Sequence, residues 1–131
     1  MNENKKNKYK AKKINVDGIT FDSKAEAHYY TSNLKIRLLA REIKDLELQP
    51  RFPLELNSIK LGSYVADFKY FDYRLNTDVI EDVKGMLLPM TRLKIKLVRA
   101  IHNQIITLID SRTHEPYYIG KNNRRVEGRP T

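Results

Sequence analysis

The sequence predicts one mixed α/β domain, and three observations carry that prediction. At 131 residues the chain can bury one modest core but not two of ordinary size. Residues 23–41 and 90–103 space their apolar side chains as helices do. Residues 63–73, 79–84 and 104–109 are instead rich in β-branched and aromatic side chains, and an interrupted strand at 46–56 precedes them. The expected order is helix, three strands, helix, strand, with the helices flanking a mixed sheet.

Each element has a local reason. Residues 14–21 read as a short hairpin, because Asp17-Gly18 suits a two-residue turn between β-prone neighbours. Ser23 and Glu26 have the spacing of a capping box and open the first helix. Pro50 and Pro53 cannot donate to a ladder, so residues 46–56 are expected at an edge. Arg74-Leu75-Asn76-Thr77 turns the chain between the next two strands. Gly85 then ends the second of them, and Pro89 starts the second helix. Three segments follow: a basic arm at 1–13, the folded domain at 14–110, and a basic C-terminal extension at 111–131. Tyr117 and Tyr118 fall in that extension, with packing on the domain as the default role and a dimer contact or base stacking as the alternatives.

Composition narrows the chemistry. Hydrophobic residues make up 40% and charged residues 31%, as in soluble globular proteins. No apolar run is long enough to span a bilayer, and the lysine-rich start lacks the apolar stretch of a secretory signal, so no membrane partner and a cytoplasmic location are expected. Cysteine is absent, which removes disulfides, thiolate nucleophiles and cysteine-based zinc sites. His28, His102 and His114 have no partner at metal-ligand spacing. Any bound metal would therefore be held by carboxylates, which favours Mg²⁺ or Mn²⁺. The net charge of +9 is concentrated at the ends, with +5 on residues 1–13 and +3 on 111–131. Two basic ends around a near-neutral middle suit a polyanion such as DNA.

The candidate chemistry lies on two strands and a helix. Alternation puts Asp67 on one face with Val65 and Lys69, and Asp82 on one face with Ile80 and Lys84. A turn centred between Leu75 and Asn76 sets Asp67 opposite Lys84 and diagonal to Asp82, so that two carboxylates and an ammonium converge. A one-residue slip would destroy the cluster. On the first helix, Lys24, His28, Thr31, Ser32 and Lys35 share the solvent side and Glu26 lies opposite them, pointing inward. An isolated helix-start glutamate serves its cap; beside two aspartates and a lysine, a functional role is favoured.

Together, Tyr64-Val65-Ala66-Asp67, Asp82-Val83-Lys84 and the upstream Glu26 resemble the PD-(D/E)xK nuclease superfamily, whose core has this element order. Ala66 stands where the name-giving proline would. Lys8–Lys13, the turn Val16-Asp17-Gly18-Ile19, Phe21–Ala27 and Ile80–Gly85 look like a phage-encoded branch of small endonucleases. The resemblance covers roughly residues 9–109 and implies a restriction-endonuclease-like core. It implies Asp67 and Asp82 as ligands of Mg²⁺ (or Mn²⁺), with the Val83 carbonyl as a further ligand. Glu26 would bind through water or help hold a second ion, and Lys84 would position the attacking water. Gly85 would let the DNA backbone approach.

Lys10, Lys12 and Lys13 on the arm and Arg92, Lys96 and Arg99 on the second helix are the expected phosphate contacts. The helix is expected to pack on the sheet through Met90, Leu93, Leu97, Ala100 and Ile101. The function implied is a metal-dependent DNA endonuclease selective for branched DNA, of the Holliday-junction-resolvase kind, working as a homodimer. Competing expectations are a linear-DNA nicking or restriction-like endonuclease or exonuclease, and a DNA-binding accessory protein that does not cut.

Overall fold

The computed structural model describes residues 13–130, so Lys10 and Lys12 lie outside the described residues. Asp17 and Gly18 both take positive φ, which closes the hairpin β1 (Ile14–Val16) to β2 (Ile19–Phe21) as the sequence requires. The first helix, α1, follows in three parts: an α-helical start at Lys24–Tyr29, a π-helical segment at Tyr30–Leu34 and an α-helical end at Lys35–Leu39. Ser23 Oγ accepts the Glu26 backbone N–H at 3.1 Å and caps the start. The wide turn coincides with two back-bonding hydroxyls, as Thr31 and Ser32 each donate to a carbonyl four residues earlier at 2.7 Å.

A mixed six-stranded sheet forms the centre, in the order β10-β9-β8-β7-β6-β3. These are β3 (Ile43–Leu48), β6 (Phe68–Asp72), β7 (Thr77–Lys84), β8 (Ile106–Asp110), β9 (Pro116–Ile119) and β10 (Arg125–Glu127). Only β7 and β8 pair in parallel, joined by the crossover helix α2 (Pro89–His102). β4 (Arg51–Leu56) and β5 (Ile59–Val65) form a separate two-stranded ribbon.

The structure corrects four expectations. The strand expected at 63–73 breaks at Ala66 and Asp67, where the chain leaves the ribbon and enters the main sheet. The interruption expected within 46–56 falls beside it, at Gln49 and Pro50. The two breaks lie side by side, with Ala66 N–H donating to Pro50 O at 3.0 Å and Gln49 N–H to Asp67 O at 2.9 Å. The β6–β7 register pairs Phe68 with Glu81, which brings Asp67 level with Asp82 rather than with Lys84. The cause is the turn: Asp72 Oδ1 accepts the N–H groups of Arg74 and Leu75 and tightens it. Residues 111–131 are not a separate extension, because β9 and β10 complete the sheet and Tyr117 and Ile119 join the core. Finally, α2 buries Ile95 and Val98, while Met90, Leu93 and Ala100 stay exposed.

The sheet is covered on both faces. Tyr29, Leu34, Phe68, Tyr70, Val79 and Val83 pack on the α1 side; Leu54, Tyr64, Ile80, Ile95, Val98 and Leu108 pack on the α2 side. The middle of β7 runs between the two clusters, so Glu81 and Asp82 have no solvent face to occupy.

Candidate active site

Asp67 sits at the fork where ribbon and sheet part. Its Oδ2 accepts the Val83 N–H at 2.8 Å, and its own N–H donates to Glu81 O at 3.1 Å, so the fork is stitched to β7 beside Asp82. As a bend residue ahead of β6, Asp67 avoids the penalty of an aspartate inside a ladder. Glu26 comes down from α1 on the side of Asp67, and the two residues line one concavity. Burial, followed by the charges of Asp67 and Asp22, pushes Glu26 up to about 8. Burial also raises Asp67, against the pull of the Val83 N–H and Lys84. The two carboxyls line a concavity of about 200 Å³ with Ile19, Thr20, Gln49 and Phe68.

Asp82 comes from the other side of β7, sharing its face with Ile80 and Lys84. It is fully buried, and neither carboxylate oxygen has a hydrogen-bond partner. Lys84 Nζ stands 3.8 Å from Asp82 Oδ2. Burial pushes Asp82 up to about 7, although Lys84 and the Asp67 N–H favour its charge.

The structure thus sets Glu26 beside Asp67 and Asp82 beside Lys84, and the charge of Lys84 also acts on Asp67. The expected convergence of three acids on one point is not formed: among the described residues, no three His, Cys, Asp or Glu side chains gather closely enough to hold a metal ion. Glu26 and Asp82 approach from opposite faces, and Asp67 lies between them. The donors nonetheless fit a hard divalent cation. Neither oxygen of Asp82 has a hydrogen bond, and Glu26 and Asp67 line one concavity where burial and the charge of Asp67 disfavour ionisation of Glu26, which a cation between them would reverse.

Comparison with known families matches residues 6–117 to a model described as "Protein of unknown function (DUF1064)". The chain belongs to the DUF1064 family. No match is found among curated proteins or among solved structures.

In this DUF1064 chain the expected DNA contacts fare unequally. Lys13 is exposed and 3.9 Å from Asp22. Arg92 donates to Asn123 Oδ1 and O at 3.1 and 2.6 Å, and Arg99 donates to Ile119 O at 3.2 Å, so both guanidinium groups hold the β9–β10 hairpin against α2. Lys96 makes no such bond among the described residues. A side chain at Gly85 would meet Ser111 Oγ at 3.2 Å, so this glycine also serves the turn after β8. Val83 meets Asp67 through its N–H. His28 and His114 lie with ring centres 5.1 Å apart, and His102 Nε2 donates to Pro53 O at 2.6 Å.

Sequence reasoning missed Glu81. It is fully buried on the α1 face, where Tyr29 Oη donates to Oε1 at 2.7 Å and Arg129 donates to Oε2. The available signal was the run Val79-Ile80-Glu81-Asp82-Val83, whose apolar residues fall on both faces and so mark a strand buried on both sides.

Proposed function

We propose that this chain is a metal-dependent DNA endonuclease of the PD-(D/E)xK type, with a restriction-endonuclease-like core, acting on branched DNA as a Holliday-junction resolvase does and cutting as a homodimer. One observation carries the reading: Asp82 is a fully buried carboxylate with no hydrogen bond on either oxygen, 3.8 Å from Lys84 and level with Asp67, which lines one concavity with Glu26. A fold keeps such a group at a cost, because burying an unpaired carboxylate is unfavourable by several kcal/mol, on the order of 3 or more. Function accounts for it better than packing does.

Asp67 and Asp82 would hold a Mg²⁺ or Mn²⁺ ion, with Glu26 as the outer acid. Bound there, the ion supplies charge neutralisation at the phosphate and a more acidic water. Lys84 is the one cation within reach of Asp82 among the described residues, and 30% of its side chain is exposed. It can therefore touch a phosphate oxygen and an incoming water from the open side. Glu26, pushed up to about 8 by burial, must lose its proton before it can serve a cation as a carboxylate.

Incubation of the full chain with a labelled four-way junction and Mg²⁺, beside Asp82→Asn and Lys84→Ala, tests the reading. Wild type is expected to cut the junction in preference to a matched linear duplex, with each variant slower by about 100-fold or more. Equal cutting by wild type and Asp82→Asn would sink the assignment. Binding that weakens with salt, with no cutting by any form, would leave the accessory-protein alternative standing.

A further inference from the structure

The first part of α1, Lys24–Tyr29, is six residues long and is separated from the rest of the helix by the π-helical segment. Such a short α-helical piece does not hold its own position; capping and tertiary contacts must fix it. Ser23 fixes one end. At the other end, the Tyr29 hydroxyl is bonded to Glu81 at 2.7 Å, and Tyr29 is fully buried. Tyr29 lies three residues after Glu26, so the bond to Glu81 sets the height and rotation of the turn that carries Glu26.

Glu81 in turn is held from an unexpected direction. Its other oxygen accepts Arg129, which follows β10. Gly128, at φ 91°, turns the chain out of β10 and donates its N–H to Pro116 O at 2.9 Å. Arg129 and Pro130 then line one concavity with Val79, Ile80 and Thr107, and the bond to Glu81 shows that the segment crosses back from the sheet edge to β7. The carboxylate of Glu81 thereby ties together the helix that carries Glu26, the strand that carries Asp82 and a residue beyond the family-matched span 6–117. A buried ion pair contributes little net stability over an apolar replacement, and the well-attested use of such pairs is to specify one register.

We propose that Arg129 is a positioning residue for the candidate site: through Glu81 and Tyr29 it holds Glu26 over Asp67, and through β7 it seats Asp82. This rests on the reading of Glu26, Asp67 and Asp82 as a metal site. Arg129 touches neither metal nor substrate; its effect is to fix the helix and strand that carry the carboxyls, so that a cation has only the side chains to draw together.

The test uses the full chain, with Mn²⁺ binding followed by calorimetry and junction cleavage followed against Mg²⁺ concentration, both well below each variant's Tm. Arg129→Gln is expected to weaken Mn²⁺ binding and raise the half-saturating Mg²⁺ by about tenfold, leaving KM for the junction unchanged. Arg129→Lys should recover most of the loss, because an ammonium can still neutralise Glu81. Tyr29→Phe removes one hydroxyl and keeps the ion pair, so it stays informative if Arg129→Gln does not fold; a threefold shift, approximately, in the same direction is expected. If Arg129→Gln and Tyr29→Phe lower Tm but bind Mn²⁺ as wild type does, the positioning role is overturned and the metal site stands. If wild type itself binds no Mn²⁺ and cuts nothing, the site reading fails, and the positioning role with it.

Discussion

The two faces of β7 hold neighbouring carboxylates, both fully buried, in opposite circumstances. Glu81, toward α1, has a hydroxyl on one oxygen and a guanidinium on the other; Asp82, toward α2, has no partner on either. Burial alone does not separate them, but the partner of each oxygen does. A satisfied buried carboxylate works as a strut, whereas an unsatisfied one is a site awaiting a cation or a proton. Burial pushes Asp82 up to about 7.

The largest effect should come from exchanging the two circumstances. Glu81→Gln leaves Arg129 facing a neutral partner in a half-buried position, and we expect a loss of roughly 3–5 kcal/mol in urea unfolding. Asp82→Asn removes a buried charge that has no hydrogen bond and only Lys84, 3.8 Å away, to offset its burial, so at pH 8.5 without metal it should leave stability unchanged or increase it. Equal destabilisation by the two variants would break the distinction between strut and site.

A smaller effect follows from pH. Glu26 and Asp82 are raised to about 8 and about 7, above the usual carboxylate range. A carboxyl raised in the folded state contributes stability that is complete below its unfolded pKa and is lost as pH rises through the folded value. In EDTA, Tm should therefore fall by several degrees between pH 5 and pH 8.5. Mg²⁺ should restore it at the alkaline end, and Asp82→Asn should flatten part of the decline. A Tm that rises over this interval would show that these acids ionise freely in the fold.

The same distinction explains what could be read from the sequence. The hairpin at Asp17-Gly18, the cap at Ser23 and the inward Glu26 are local consequences of side-chain chemistry, and the sequence contains all that decides them. The β6–β7 register was missed because Asp72 claims the turn through two backbone bonds. The shift preserved parity, so Asp67 became level with Asp82 instead of Lys84 at the same strand end, but among the described residues the three acids do not converge on one point. Glu81 was overlooked because its partner Arg129 is 48 residues away in a segment read as an extension. The rotation of α2 was misjudged because its exposed Met90 and Leu93 match its buried Ile95 and Val98 in hydropathy. Only the sheet beneath distinguishes them.

The smallest effects concern cations on α2, where the same rule of partners applies. Arg92 has both its bonds inside the fold, to Asn123, so Arg92→Ala should lose about 1 kcal/mol of stability and change the salt dependence of DNA binding little. Lys96 has no comparable bond among the described residues, so Lys96→Ala should leave Tm unchanged. If this side of α2 meets phosphates, the slope of log K against log salt should fall by about one in Lys96→Ala. An unchanged slope would confine the DNA path to other parts of the surface, because a solvated lysine with neither a fold partner nor a phosphate has nothing to lose on truncation.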